Sequence, residues 1–256
     1  MSRPAHTTHD GRTWGVYAIS AGRPANVPAM QALFAPDPVT WVVPHAERHD
    51  YATAGAHAVL PVPLPAPGHY QLTTQRQAAL THALTHGAVC IQTDDDCKGF
   101  KAATGDERRP PAVEWPELRN AMLDALDGET HLVGLPPTSN AYFARGKKLT
   151  YGFVLASLHA TDTNEVAWDT TLPVKEDYDF TCGHLARYGR IARLDTYVAN
   201  YDHYSNRGGV VAVRTPENER DSARRLVERW PDYLRTHARR AGELSFKPKR
   251  STKTPR

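Results

Sequence analysis

Residues Ala88-Val89-Cys90-Ile91-Gln92-Thr93-Asp94-Asp95-Asp96 pass from an apolar run straight into three adjacent carboxylates. A short continuous apolar run suits a strand buried on both faces, as in a parallel sheet. Three neighbouring acids repel one another, so stability alone does not explain them. Hard oxygen ligands so close together suit Mg²⁺ or Mn²⁺, and such an ion commonly brings a phosphorylated substrate with it. Ligands of open α/β sheets bind outside the carboxyl ends of the strands. The run therefore predicts an α/β fold with a metal–diphosphate site at 94–96. A polar loop after a strand is the plainer alternative.

The remaining apolar runs agree. Trp14–Ile19, Val39–Val43 and His57–Val62 read as three further strands, each stopped by Gly or Pro signals. Val27–Phe34 reads as a short helix. Thr73–His86 reads as a longer one, with Leu72, Ala79, Leu80, Ala83 and Leu84 on one face and Gly87 at its end. Strands separated by helical segments argue a largely parallel sheet. The second half is mixed. A helix is expected from Pro116 to Gly128, followed by strands at His131–Leu135, Tyr151–Ser157, Ile191–Ala199 and Gly209–Val213. Thr215-Pro216-Glu217 is a helix start with Thr as cap and Pro in the first turn, and Pro231 either kinks that helix or begins another.

With 256 residues the chain forms one large domain or two small ones, and it shows neither repeats nor a separating linker. Residues 1–11 read as a loose tail without the apolar core of a secretory signal. No apolar run approaches the ~18 residues of a membrane span, so no membrane contact is expected. Cys90, Cys97 and Cys182 match neither a disulfide framework nor a zinc pattern, which fits a reducing cytoplasm. The net charge of +3 is mild. Basic residues gather late, at Arg220, Arg224, Arg225, Arg229, Arg235, Arg239 and Arg240, then Lys247, Lys249, Arg250, Lys253 and Arg256. They read either as a phosphate-backbone contact or as a solvated helix face with a disordered tail over 246–256.

Taken together, Asp94-Asp95-Asp96 after the fourth strand and the acidic run Lys175-Glu176-Asp177-Tyr178-Asp179-Phe180 resemble the DxD and xED motifs of GT-A glycosyltransferases. The narrower resemblance is to the TET-associated glycosyltransferase family of phage DNA base modification, on Thr93-Asp94-Asp95-Asp96, Glu176–Phe180 and Tyr201-Asp202-His203-Tyr204-Ser205. It covers about residues 12 to 240. It implies a GT-A-like single domain over 12–245, with a nucleotide-binding, largely parallel sheet half and a mixed α+β acceptor half. It also implies a nucleotide-diphosphate sugar donor, most simply a UDP-sugar, an Mn²⁺ or Mg²⁺ ion, and an acceptor hydroxyl on a 5-hydroxymethylated pyrimidine in DNA. By the same resemblance the loop Ser20, Gly22 and Arg23 contacts the nucleotide. Arg76, in Gln75-Arg76-Gln77, falls where a donor contact is common.

Glycosyl transfer needs the leaving diphosphate neutralised and the acceptor hydroxyl deprotonated. Strand periodicity places Asp94 and Asp96 on one face as metal or ribose contacts, with Asp95 in reserve if the segment turns. His203 is a further candidate ligand, since a late His often completes such sites. His45 and His49 are a weaker H-x3-H pair. Asp177 is the expected base, with Glu176 and Asp179 as competitors, and the plain alternative is that Glu176 and Asp177 cap a helix beginning near Asp179. A Mg²⁺-dependent nucleotidyltransferase shares most of these features. A haloacid-type phosphatase fits worse, because its nucleophile follows the first strand. A non-catalytic DNA-binding module would use the basic end and leave the acidic triplet without a role. The sequence leaves the sugar and the stereochemical outcome open.

Overall fold

In the computed structural model, residues 6–7, 11–103, 110–144, 146–202, 213–237, 240 and 242–249 are described. Strands form where the first-half apolar runs stand, at β2 (Thr13–Ile19), β3 (Val39–Pro44), β4 (Ala58–Val62) and β5 (Ala88–Asp94), preceded by a short β1 (His6–Thr7). Four of them run parallel in the order β4-β3-β2-β5. The register pairs Ile19 with both Val42 and Asp94, so β2 and β5 end at one level. That register sets the loop after β2 beside the acidic triplet.

The sheet continues with β8 (Leu132–Gly134), β9 (Lys148–Leu149), β10 (Leu158–Thr161) and β11 (Ala192–Leu194), in the order β5-β10-β8-β11-β9. Here β10 is antiparallel to both β5 and β8, while β8 and β11 are parallel. A parallel half joined to a mixed half is the architecture expected from the sequence. A second sheet takes β6 (Cys97–Ala102), β7 (Ala112–Val113) and β12 (Tyr197–Tyr201).

Both faces of the main sheet are covered, because β2 alternates between two cores. Trp14, Val16 and Ala18 pack with α1 (Val27–Leu33) and α4 (Trp115–Asp124). Tyr17 and Ile19 pack with α3 (Gln71–Thr85) and α5 (Glu176–Tyr188). A third core holds α6 (Pro216–Arg229) and the hairpin of β13 (Leu234–Thr236) and β14 (Leu244–Phe246) against Leu172 and Cys182. A short helix, α2 (Arg48–Thr53), follows β3.

Five expectations give way. Tyr151–Ser157 is not a strand: Gly152 has φ +125°, and side chains meet the carbonyls at its centre. Arg193 donates to the Phe153 carbonyl at 3.1 Å and Thr181 to that of Val154 at 3.3 Å. Ile191–Ala199 splits at Asp195, where the ion pair with Arg193 (2.7 Å) marks the turn that sends β11 and β12 to different sheets. Thr215 caps α6 as expected, accepting from the Asn218 amide at 3.1 Å, but Pro231 neither kinks a helix nor starts one. It opens the turn into β13. The basic tail set at 246 begins inside that hairpin, since Phe246 pairs with Leu234, and the N-terminal tail holds β1 against β2. Residues 209–212 and 250–256 lie outside the described ones. Among those described, no helix is long and apolar enough to cross a membrane.

Asp37 ties one core together. Its buried carboxylate accepts from Trp14 Nε1 at 3.2 Å, Trp115 Nε1 at 2.7 Å and Arg119 Nη1 at 2.9 Å. Asp37→Ala would strand two indole N–H groups and a guanidinium. Breaking a buried pair from one side is worth about 3 kcal/mol or more. The urea midpoint should fall accordingly with an unchanged slope, and a loss below ~1 kcal/mol would contradict this role.

Candidate functional site

Strand β5 ends at Asp94, and Asp95 and Asp96 form the tight turn into β6. The extended segment assumed in placing Asp94 and Asp96 on one face ends at Asp94, and strand alternation does not continue through a turn. The triplet divides instead between two arginines. Arg23 Nη1 donates to Asp95 Oδ1 at 2.8 Å and lies 3.7 Å from Asp96 Oδ2. Arg76 Nη2 donates to Asp94 Oδ1 at 2.9 Å.

The loop after β2 is built around Asp95. Ser20 Oγ donates to Asp95 Oδ2 and shares a 2.5 Å hydrogen bond with the Tyr51 hydroxyl, while Asn26 Nδ2 reaches the Asp95 carbonyl at 2.9 Å. Gly22, at φ +71°, turns its amide to Glu47 Oε2 at 2.6 Å, and the Arg23 amide donates to the Tyr51 hydroxyl at 3.0 Å. Gln75 Nε2 bridges the Ser20 and Val42 carbonyls at 2.8 and 2.7 Å, pinning the ends of β2 and β3. Ser20, Gly22 and Arg23 thus stand beside the triplet. Sequence reasoning passed over Tyr51, Glu47 and Asn26, which lie in or beside short helices with no periodic signal. Burial pushes the Asp95 carboxyl up to about 6, against the opposing pull of Ser20 and Arg23.

The second acidic group opens α5, which begins at Glu176 and not near Asp179. Carboxylates in a first helical turn are favoured by the exposed amides and the helix dipole. Lys175, immediately before, has φ 64°. For a residue with a Cβ that conformation costs about 1–2 kcal/mol, and it is held by an ion pair from Lys175 Nζ to Glu219. Glu176 Oε1, buried, accepts from Arg76 Nε at 3.3 Å. Asp177 Oδ1 accepts from the Tyr178 amide at 3.0 Å. Burial and then the Glu176 charge raise the Asp177 carboxyl above the ordinary carboxylate range, while Arg76 and Lys175 oppose the rise. Asp179 belongs elsewhere: it accepts from Arg229 Nη1 at 3.0 Å and Trp230 Nε1 at 2.6 Å, joining α5 to the end of α6.

Arg76 brings the two acidic groups together. Besides Asp94 and Glu176 it donates to the Ala156 carbonyl at 3.2 Å, and its guanidinium sits 5.4 Å from the Trp168 ring centre. Each of its three nitrogens therefore has a protein acceptor, which makes it a strut between motifs more than the donor contact expected from the sequence.

Carboxylates outnumber cations in this cluster. Among the described residues, Asp94, Asp95, Asp96, Glu176 and Asp177 are met by Arg23, Arg76 and Lys175. Among the described residues no three His, Cys, Asp or Glu side chains converge to hold a metal by themselves. An ion that shares its shell with substrate phosphates needs only one or two carboxylates, and the triplet is where such an ion would find them. His203 lies outside the described residues. His45 and His49 are exposed.

The basic end is largely answered from within. Arg224 pairs with Asp221 at 2.6 Å and Glu228 at 3.2 Å, Arg229 with Asp169 at 2.7 Å, and Arg240 with Glu243 at 3.2 Å, while Arg225 donates to Thr171 Oγ1 at 2.9 Å. Arg220 and Arg235 are exposed.

No protein-family model matches the sequence, and no curated protein matches it. Among solved structures the chain is similar to S. aureus TarS 1–349 in complex with UDP-GlcNAc, with a TM-score of 0.53 and 13% identity over 84% of this chain. The match spans 66% of that neighbour's length. The likeness establishes the GT-A-like α/β fold.

The raised Asp177 carboxyl has a consequence for stability. An unfolded aspartate titrates near ~3.9, below the folded value, so the folded state binds more protons as pH rises between the two. Stability contributed by the protonated form is present at low pH and lost as pH rises through the folded pKa. Asp177→Asn removes this penalty, so its melting temperature should gain on the wild type from pH 5 to pH 8. About 2–4 °C per kcal/mol is expected at this size. A gap that stays constant with pH would show that the carboxyl titrates normally.

Proposed function

We propose that the chain is a metal-dependent glycosyltransferase that moves a sugar from a nucleotide-diphosphate donor, most simply a UDP-sugar, to a hydroxyl acceptor. The observation that carries the reading is the meeting of the acidic triplet and the Glu176–Asp177 pair at the carboxyl edge of a GT-A-like sheet. The neighbour sharing that fold binds UDP-GlcNAc, which supports the choice of donor.

Roles follow from placement. Ser20, Gly22 and Arg23 form the nucleotide-side wall, with Tyr51 and Gln75 fixing its shape. Asp96 and Asp94 would hold Mn²⁺ or Mg²⁺. That ion, when bound, supplies Lewis-acid stabilisation of the leaving diphosphate. Asp177 takes the proton of the acceptor hydroxyl. Its raised affinity for protons brings it closer to the operating pH, where a general base works best. Glu176, tied to Arg76, positions that turn of α5. His203 remains a proposed further ligand from the sequence resemblance.

The proposed acceptor is a 5-hydroxymethylated pyrimidine in DNA. Its support is the sequence resemblance together with exposed basic residues such as Arg220, Arg235 and Lys249. If phosphates are held there, affinity for hydroxymethylated duplex should fall with salt at a log–log slope near −0.9 per phosphate. Removing residues 250–256 should flatten that slope and spare donor hydrolysis. Salt-insensitive binding, or equal glycosylation of a small free alcohol, would retain sugar transfer and discard DNA.

The donor reading is tested with purified protein, Mn²⁺ and a panel of UDP-sugars. UDP release that a chelator abolishes and Mn²⁺ or Mg²⁺ restores is expected, and Asp96→Asn should lose donor binding while keeping its fold. Pyrophosphate release from a nucleoside triphosphate would instead identify a nucleotidyltransferase.

The base is tested separately. Asp177→Asn should lower turnover by about 10²–10⁴-fold with donor affinity little changed. Unaltered turnover would pass the role to Glu176.

A further inference from the structure

We propose that Arg76 is a positioning residue that couples the donor end of the site to its acceptor end, because one buried guanidinium holds both Asp94 and Glu176. The inference rests on the donor reading above and adds a link between its two halves.

The geometry is specific. Arg76 is 3% exposed. Nη2 reaches Asp94 at the end of β5, Nε reaches Glu176 in the first turn of α5, and Nη1 reaches Ala156 in the segment leading to β10. Trp168, beside the guanidinium, stacks on Phe180 of α5 with ring centres 3.9 Å apart and planes 6° apart. The Trp168 amide donates to Gln77, one residue from Arg76, at 2.9 Å. A displacement of Arg76 is therefore felt by α5 both through Glu176 and through the Trp168–Phe180 stack.

A buried guanidinium persists only if its charge is answered, and here two carboxylates on different elements answer it. Whatever draws Asp94 toward a bound donor loosens one of these ties and leaves the cation to Glu176. Conversely, a weaker tie to Glu176 leaves Arg76 gripping Asp94, which opposes donor capture. Coupling between sites is reciprocal, so the acceptor-side acid must influence donor affinity although it is not itself a donor ligand. The expected consequence is that donor binding precedes and orders the turn that carries Asp177.

The test uses binding of UDP and UDP-GlcNAc with Mn²⁺, measured calorimetrically. Glu176→Gln should weaken donor binding about tenfold, within the usual range of coupling between sites, and this effect should shrink to less than twofold in an Arg76→Lys background, where the fork is lost and the charge kept. A Glu176→Gln protein that binds the donor as the wild type does overturns the proposal. So does an equal weakening in both backgrounds, which would show that the influence bypasses Arg76. Hydrogen exchange without donor supplies an independent readout: Asp94→Asn leaves the cation to Glu176 and should slow exchange of the amides at Phe180–Cys182, the first that hydrogen-bond back to the opening turn of α5, and faster exchange would overturn the coupling. If the wild type binds neither nucleotide, the donor reading falls by itself, and the exchange result alone judges the strut. Unchanged exchange in Asp94→Asn would overturn it.

Discussion

The site depends on Arg76, whose buried guanidinium ties the acidic triplet to the acidic turn of α5. Asp94, Asp95, Asp96, Glu176 and Asp177 stand near one another with Arg23 and Arg76 as the guanidiniums that reach them. Removing carboxylates from water is costly unless partners and hydrogen bonds replace it. The fold meets part of that cost with Ser20 and the first-turn amide of Tyr178. The remainder surfaces as acids held above their usual range. Carboxyls raised by burial and by one another are a pattern common at functional sites.

Such a cluster needs a rigid frame. The register that ends β2 and β5 at one level is kept by two buried cores, one on each face of the sheet. Gln75 fastens the ends of β2 and β3 directly. Gly134 shows how tightly the frame is packed, since a Cβ there would meet Val154 Cγ1 at 2.3 Å. Among the described residues, Lys175 is the one non-glycine at positive φ, and it sits one residue before the acidic pair. Such a conformation persists where surrounding contacts over-determine the backbone, and the contact with Glu219 of α6 supplies that determination.

The separation of Asp179 from Glu176 illustrates how one helical turn divides labour. Glu176 faces α3 through Arg76, whereas Asp179 faces α6 through Arg229 and Trp230. The same α6 arginines that suggested a polyanion contact are thus partly consumed in holding α5. Charge counted along a sequence overstates what a surface can offer, because acids distant in the chain arrive to meet it.

Local chemistry by itself determined the parallel half. Apolar runs bounded by Gly and Pro make buried strands wherever they occur, so β2, β3, β4, β5 and helices α1, α3 and α6 were legible, as was the acidic triplet at a strand end. The acidic run at 175–180 was legible as a group, though not which of its members face inward. The tertiary structure decided what depends on partners far away in the chain. The segment at 151–157 forgoes a strand because Arg193 and Thr181 meet the carbonyls at its centre. Asp95 and Asp96 leave the strand period because the chain must turn toward β6. Arg76 became a strut because Asp94, 18 residues on, and Glu176, 100 residues on, close around it. Periodicity reports which side of an element is apolar. It carries no information about which charges, brought from elsewhere, will meet at its end.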